Sequence, residues 1–324
     1  MGREPSVSAV VCTWNRAREV CAAVDSILGQ SRPPEQLVVV DDGSTDGTRE
    51  ALARYGAAIE VIHQANQGAS AARNSGIRAA RGSWVAFLDS DDRWLDFHLG
   101  DLLSIVEAEP ALVWAFSTRL VEMAPGAPAV PEVPAGRLAG LVDERGVAED
   151  YLRVSARGAS CPTSGLMIRR DLLLQLGGFD VALRAGEDLD LWWKIARDHP
   201  RIGVGVRPSI VMTRYREDSL SASARGDASG RSDLAFAGTL RRHLQQMREA
   251  GRGAAFEPVA APHLGAVVQR ALLRRDLAVL RRVGWRGGRL LPVKTRVMHA
   301  FCLAAGRPGA ALLARVRGVA ADAS

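Results

Sequence analysis

The sequence predicts an α/β protein on a Rossmann-like, mostly parallel central sheet. Three observations carry that reading. Short, continuous apolar runs recur through the first hundred residues; stretches with helical spacing separate them; and a polar cluster directly follows each run. Strands apolar on both faces need helices on both sides, and ligands of such sheets gather at the strands' carboxyl ends.

The elements follow in order. Val7 to Cys12 is a β-branched apolar run ending in the polar Thr13-Trp14-Asn15-Arg16. Arg18 to Leu28 has helical spacing, with Val20, Val24, Ile27 and Leu28 able to share a face. Leu37 to Val40, Ile59 to Ile62 and Trp84 to Leu88 read as three further strands, and the Ala-rich Gly68 to Ala80 as a helix between the last two. Leu95 to Glu107 reads as a helix stopped near Pro110, and Leu112 to Ser117 as a strand. Four prolines make 124–135 a loop or flap. Ser164 to Ile168 and a segment within Ile202 to Met212 read as strands, and Glu187 to Arg197 as a helix. Beyond about Ser221 the chain is Arg- and Ala-rich, with helical spacing over Leu234 to Glu249 and around Val267 to Val283.

Composition narrows the classes. With 324 residues, 47% hydrophobic and 24% charged, the chain has a globular balance and length for one large domain or two ordinary ones. Net charge is +6, yet the stretch from Arg241 onward holds 16 basic and 4 acidic residues, a net of +12, which leaves the first 240 residues at −6. A basic stretch of this kind suits nucleic acid or an anionic membrane surface, and a solvated helical face needs no partner at all. Cys12, Cys21, Cys161 and Cys302 show no short paired spacing for zinc or redox work. The sequence enters its first strand without a basic-then-apolar leader, and no run approaches the ~18 apolar residues of a membrane span, so a cytoplasmic place is expected.

Four clusters can carry chemistry. Asp41-Asp42-Gly43-Ser44-Thr45-Asp46-Gly47 follows a strand; it can be a tight turn that caps the next helix, or a carboxylate pair facing a base or ribose. Asn66-Gln67-Gly68 opens a helix that carries Arg73 and Asn74. Free amides and a guanidinium there suit phosphate, whereas an Ala-rich helix with Arg on its wet face needs no ligand. Asp89-Ser90-Asp91-Asp92 puts three carboxylates just past a buried strand, where their repulsion calls for a cation or solvent; such hard oxygen ligands suit Mg²⁺ or Mn²⁺. Gly186-Glu187-Asp188-Leu189-Asp190-Leu191-Trp192-Trp193 opens a helix, where acids favour the dipole or supply a general base, with the Trp pair as a wall for an acceptor ring.

Taken in order, these segments resemble the glycosyltransferase family 2 pattern. The matching text is Val-Val-Cys-Thr-Trp-Asn-Arg (10–16), Val-Asp-Asp-Gly-Ser-Thr-Asp-Gly-Thr (40–48), Asn-Gln-Gly-x-Ser-x-Ala-Arg-Asn-x-Gly (66–76), Phe-Leu-Asp-Ser-Asp-Asp (87–92) and Gly-Gly-Phe-Asp with Gly-Glu-Asp-Leu-Asp-Leu-Trp (177–180, 186–192). The resemblance implies a GT-A fold over about residues 1–221, with a nucleotide-sugar half over 6–117 and an acceptor half over 118–221. A mainly helical basic region follows over 222–324. It implies inverting transfer from a nucleotide-diphospho-sugar to a glycan, lipid-linked or small-molecule acceptor, with Mn²⁺ or Mg²⁺ held by Asp89, Asp91 and Asp92 and Asp188 as catalytic base. Thr13, Asn15, Arg16 and Asp42 fall on the nucleotide side, and Asn66, Arg73, Asp89, Glu187 and Trp192 complete the donor contacts.

Many relatives carry a His before a Ser-x-Ser. Here Thr213-Arg214-Tyr215-Arg216-Glu217-Asp218-Ser219-Leu220-Ser221 has none, and Arg216 is the candidate to hold the diphosphate instead. The basic C-terminal arginines would suit an anionic membrane beside a lipid-linked acceptor in cell-envelope glycan assembly; packing or a homodimer is equally compatible. Nucleic acid is not expected. Nucleotidyl transfer and a catalytically silent scaffold are the rival readings.

Overall fold

The computed structural model describes residues 4–124, 126–134, 136–214, 231–274, 276, 278–281 and 283. Two compact units emerge: Met1–Ala182 with Asp198–Arg216, and Leu183–Arg197 with Glu217–Ser324. The expectations placed on Arg216 and on the arginines from 284 onward lie outside the described residues.

The first unit is organised by one sheet. Its strands are β1 Val7–Thr13, β2 Gln36–Asp41, β3 Glu60–His63, β4 Trp84–Asp89, β5 Arg93–Trp94, β6 Trp114–Glu122, β7 Val130–Pro131, β8 Val147–Ala148, β9 Leu166–Arg169 and β10 Ile202–Thr213. The spatial order is β3-β2-β1-β4-β9-β6-β10-β5, with β7 on β6 and β8 on β10. The β3-β2-β1-β4 half is parallel throughout, as the alternating runs predict. β9 then enters antiparallel to both β4 and β6, so the whole sheet is mixed where a mostly parallel one is expected. A strand that arrives late in the chain between two earlier neighbours leaves no periodicity signal. The 124–135 segment, expected as a loop, includes β7, whose Pro131 sits on a two-residue edge strand.

Helices α1 Glu19–Leu28 and α4 His98–Ala108 pack on one face of this sheet, where Val20, Val24, Ile27, Leu99 and Leu102 join Ala9, Val11, Val39, Ala86 and Leu88 in a buried core. Helix α3, Ala69–Ala79, lies against β1 and β2 through Gly76, where a Cβ would fall 2.3 Å from Val10 Cγ1. The remaining helices of this unit are the short α2 Thr48–Ala53, α5 Tyr151–Ala156 and α6 Arg170–Leu176.

The second unit is helical among its described residues. It contains most of α7 Glu187–Asp198, with α8 Arg231–Glu249 and α9 Gly253–Arg274. Arg270 of α9 grips Asp233 of α8 with Nη2 2.6 Å and Nε 3.0 Å from Oδ1. No described helix is long and apolar enough to cross a membrane.

The close approach of α3 to β1 yields a direct test. Gly76→Ala is expected to cost about 1–3 kcal/mol in urea unfolding through overpacking. Gly265→Ala on α9, with open space around its Cβ, is expected to be neutral or stabilising by up to about 1 kcal/mol.

Candidate active site at the carboxyl ends of β1, β2 and β4

Parallel register sets the site. Thr13 stands opposite Asp41, and Cys12 opposite Asp89, so three polar strand ends share one edge. Thr13 is buried, and its Oγ1 meets no hydrogen-bond partner among the described residues. Asp41 is fully buried, accepting from the Ser44 amide at 3.0 Å and lying 3.0 Å from His63 Nδ1. Burial opposes its charge, yet the bonds from Ser44 and His63 outweigh it and lower the pKa.

Asp42 is held by the turn before α3. Its Oδ2 accepts from the Gly68 amide at 2.7 Å, and its Oδ1 accepts from the Gln67 amide and the Gln64 side chain. Asp42 thereby holds the Gln67-Gly68 turn that precedes α3, whose own first turn begins at Ala69. Asn15 serves as a loop fastener. Its backbone is left-handed, at φ 51°, a region Asn tolerates; its amide donates to Ser44 Oγ at 2.9 Å and its Oδ1 accepts from the Thr45 amide at 2.8 Å. Arg16 is half-buried with its amide on Thr48 Oγ1, and Asn66 is exposed beside Gly43.

Arg73 does not lie on a wet face. Its side chain is 6% exposed, and Nη2 donates to Asp89 Oδ1 at 2.8 Å. The guanidinium also lies 5.2 Å from the centroid of Phe179, whose edge meets Phe87 of β4 at 5.6 Å. Phe179 is fixed in turn by the next residue on α3. Asn74 Nδ2 donates to the Phe179 carbonyl and Asn74 Oδ1 accepts the Phe179 amide, both at 2.8 Å. That exchange needs the sharp turn at Gly177 and Gly178, both with positive φ, and a Cβ on Gly178 would strike Asn74 Oδ1. Two motifs a hundred residues apart are thus one structure.

The acidic cluster divides its labour. Asp89, at 33% side-chain exposure, and Asp91 are half-buried; Asp92 is buried. Asp92 accepts a very short hydrogen bond from Ser164 Oγ and a 3.2 Å bond from the Thr213 amide, so it ties the end of β4 to β10. Burial raises its pKa well above the ordinary carboxylate value, and the charges of Asp91 and Asp89 push the same way. Among the described residues no three His, Cys, Asp or Glu side chains are gathered into a ready-made metal cage. Of the three expected carboxylates, Asp92 has both oxygens hydrogen-bonded to the protein. Asp89 and Asp91 remain as hard oxygen donors, a set that fits an ion completed by diphosphate oxygens and water. Behind them burial pushes the Cys12 thiol up to about 12, with Arg73 opposing, so it stays neutral.

In the second unit Glu187 and Asp188 are half-buried on the first turn of α7, and Asp188 Oδ1 accepts the Leu189 amide at 2.7 Å. Trp192 and Trp193 are both fully buried. The expected acceptor wall is therefore interior packing, with Trp192 and Trp193 buried beside Ile195 and Ala196. Ser164 is the site residue that the sequence does not mark. Ser164 lies in a 3₁₀ turn, Thr163–Gly165, before β9, and neither its spacing nor its composition points to Asp92.

Known proteins match this architecture. Residues 8–133 match the glycosyl transferase family 2 model. TuaG of Bacillus subtilis, a glycosyltransferase named for teichuronic acid biosynthesis, is 43% identical over 95 residues, 28% of this chain and 38% of TuaG. An uncharacterized glycosyltransferase of Haemophilus influenzae is 25% identical over 193 residues, 59% of this chain and 62% of the relative. The chain thus spans under two thirds of either relative's length. Among solved structures, S. aureus TarS 1-349 in complex with UDP-GlcNAc aligns with a TM-score of 0.64 at 18% identity, over 97% of this chain and 92% of that one. The Pyrobaculum calidifontis mannosyltransferase PcManGT, in complex with GDP-Man and Mn²⁺, aligns with a TM-score of 0.53 at 18% identity, over 96% of this chain and 87% of that one. The family match is thus confined to residues 8–133, and the sheet they begin has the GT-A fold.

Proposed function

We propose that the chain is an inverting glycosyltransferase that moves a sugar from a nucleotide-diphospho-sugar to an acceptor hydroxyl in cell-envelope polysaccharide or related glycan synthesis. The observation that carries the reading is the strand edge where the Arg73–Asp89 pair, Asp91 and the unpartnered Thr13 Oγ1 converge. Support for the donor comes from the UDP-GlcNAc held by TarS, and for the metal from the Mn²⁺ in the PcManGT complex. TuaG's name supports the envelope setting.

On this reading Thr13, Arg16 and Asn66 face the nucleotide, while Asn15 and Asp42 hold the loops that shape its seat. Asp89 and Asp91 hold Mg²⁺ or Mn²⁺, which offsets charge on the departing diphosphate. Arg73 balances Asp89, so that the acidic cluster does not repel the donor. Asp188 accepts the acceptor hydroxyl's proton as its oxygen attacks the anomeric carbon from the face opposite the diphosphate. The new C–O bond forms as the old one breaks, and its electron pair leaves with the nucleoside diphosphate. One base completes this in-line step with inversion, with no covalent glycosyl-enzyme. The arginines from Arg241 onward favour an anionic lipid surface beside a lipid-linked acceptor.

Release of nucleoside diphosphate from a panel of sugar nucleotides tests this. Wild-type turnover is expected with Mn²⁺ or Mg²⁺ and loss of it with EDTA, recovered on adding metal back. Absence of turnover across donors and acceptors would leave a scaffold, and release of a nucleoside monophosphate would indicate nucleotidyl chemistry.

The two carboxylate roles separate by mutation. Asp188→Asn is expected to slow transfer by about 10²- to 10⁴-fold while a thermal shift still reports sugar-nucleotide binding. Asp91→Asn is expected to lose the metal-dependent part of that shift as well. Loss of donor binding in Asp188→Asn would remove the base assignment.

A further inference from the structure

The second unit contains a buried charge that the proposed reaction does not use. Asp190, on the first turn of α7, is fully buried. From α8, His243 Nε2 approaches Asp190 Oδ1 at 2.8 Å and Arg242 Nη2 approaches the same oxygen at 3.1 Å. Lys194, one turn along α7, lies 2.6 Å from Oδ2. Burial opposes the charge on Asp190, but His243 and Lys194 outweigh it and hold the carboxyl well below its usual range. His243 is itself buried, and burial lowers its pKa against the pull of Asp190, so it serves as a neutral N–H donor.

A second contact fixes the same turn. Gly186 has φ 75°, its carbonyl accepts the Asp190 amide at 3.0 Å, and a Cβ there would fall 2.3 Å from Phe236 Cε2 of α8. Trp193, on the next turn of α7, rests edge-on against His243 at 5.3 Å and Phe256 at 5.1 Å. The α8 helix therefore reads the start of α7 at residues 186, 190 and 193.

Stability alone does not account for a charge here. A buried ion pair recovers its desolvation cost poorly, and apolar side chains of similar size serve a core as well or better. What a buried, directional bond does supply is one rotation of the helix. Two residues along an α-helix turn the side chain by about 200°, so Asp188 and Asp190 point to nearly opposite sides of α7. Whatever anchors Asp190 also aims Asp188.

We propose that His243 and Arg242, acting through Asp190, are positioning residues that set the rotation of the first turn of α7 and so aim the Asp188 carboxylate at the acceptor hydroxyl. This rests on the reading of Asp188 as base. Neither residue touches substrate, and their effect falls on turnover, leaving donor affinity alone. A misaimed base of this kind costs up to about 100-fold in rate.

The test pairs a conservative variant with one that removes the Asp190 carboxylate and its His243 partner. His243→Gln keeps an N–H near the Nε2 position, and Asp190→Leu/His243→Leu replaces the pair by apolar packing. Melting temperature, kcat and donor KM are measured for each on the full chain. The double variant is expected to melt near or above the wild type yet lose about 10- to 100-fold in kcat, with donor KM within about twofold. His243→Gln is expected to stay within about threefold of wild-type kcat, as a preserved donor requires. A folded double variant with wild-type kcat would overturn the proposal. So would a His243→Gln variant as slow as the double one, since a merely space-filling role predicts that. The Asp188→Asn control keeps the two readings apart: if it transfers sugar normally the base assignment fails, whereas a dead Asp188→Asn beside a fully active double variant removes only the positioning role.

Discussion

The Arg73–Asp89 pair is the contact on which the site's other parts depend. A guanidinium withdrawn from water needs an anion, and Asp89 at the end of β4 supplies it at 2.8 Å. That bond fixes which way α3 turns toward the sheet, and Asn74 is the next residue on α3. Asn74 can then reach the Phe179 backbone only if Gly177 and Gly178 take positive φ, and Phe179 in turn closes over Arg73. The ring of constraints returns to where it began. Each motif letter in 73–76 and 177–179 has a steric or hydrogen-bonding reason that needs no ligand.

This separates two kinds of acidic residue that look alike in sequence. Asp41, Asp42 and Asp92 are consumed by the protein, since Ser44, Gln64, Gln67, Gly68, Ser164 and Thr213 all donate to them. They stiffen loops at the carboxyl edge of the sheet. Asp89 and Asp91 stand further forward, and Asp92 behind them is pushed toward its neutral form by burial and by their charges. An edge in which one carboxylate is already pressed to give up its charge favours an arriving cation.

The parallel half of the sheet was legible because its strands are short, apolar on both faces and followed by polar clusters; register then placed Thr13, Asp41 and Asp89 together, as the strand ends implied. The antiparallel insertion of β9 was not, because order in a sheet is a tertiary choice that leaves Leu-Met-Ile-Arg looking like any strand. Trp192 was misjudged for a different reason. A tryptophan beside an acidic motif invites a ligand role, yet Trp192 and Trp193 share the helical spacing of Ile195 and Ala196, which are buried with them. Ser164 and His243 carried no local signal, since each acts through a partner more than 50 residues away.

Two carboxylates are too few to cage an ion by themselves, and that shortage has a consequence on the proposed reading. Mg²⁺ and Mn²⁺ want about six oxygen ligands, so Asp89 and Asp91 leave several positions for diphosphate oxygens and water. Metal and donor affinity are then linked: each supplies ligands or charge that the other lacks, and by reciprocity each tightens the other's binding by the same factor. Asp92 deepens that linkage. On that reading Asp92, hydrogen-bonded to Ser164 and Thr213, would be drawn away from the ion, and the sugar nucleotide would complete the shell. The bond to Ser164 that braces the sheet would thereby make metal occupancy depend on the donor.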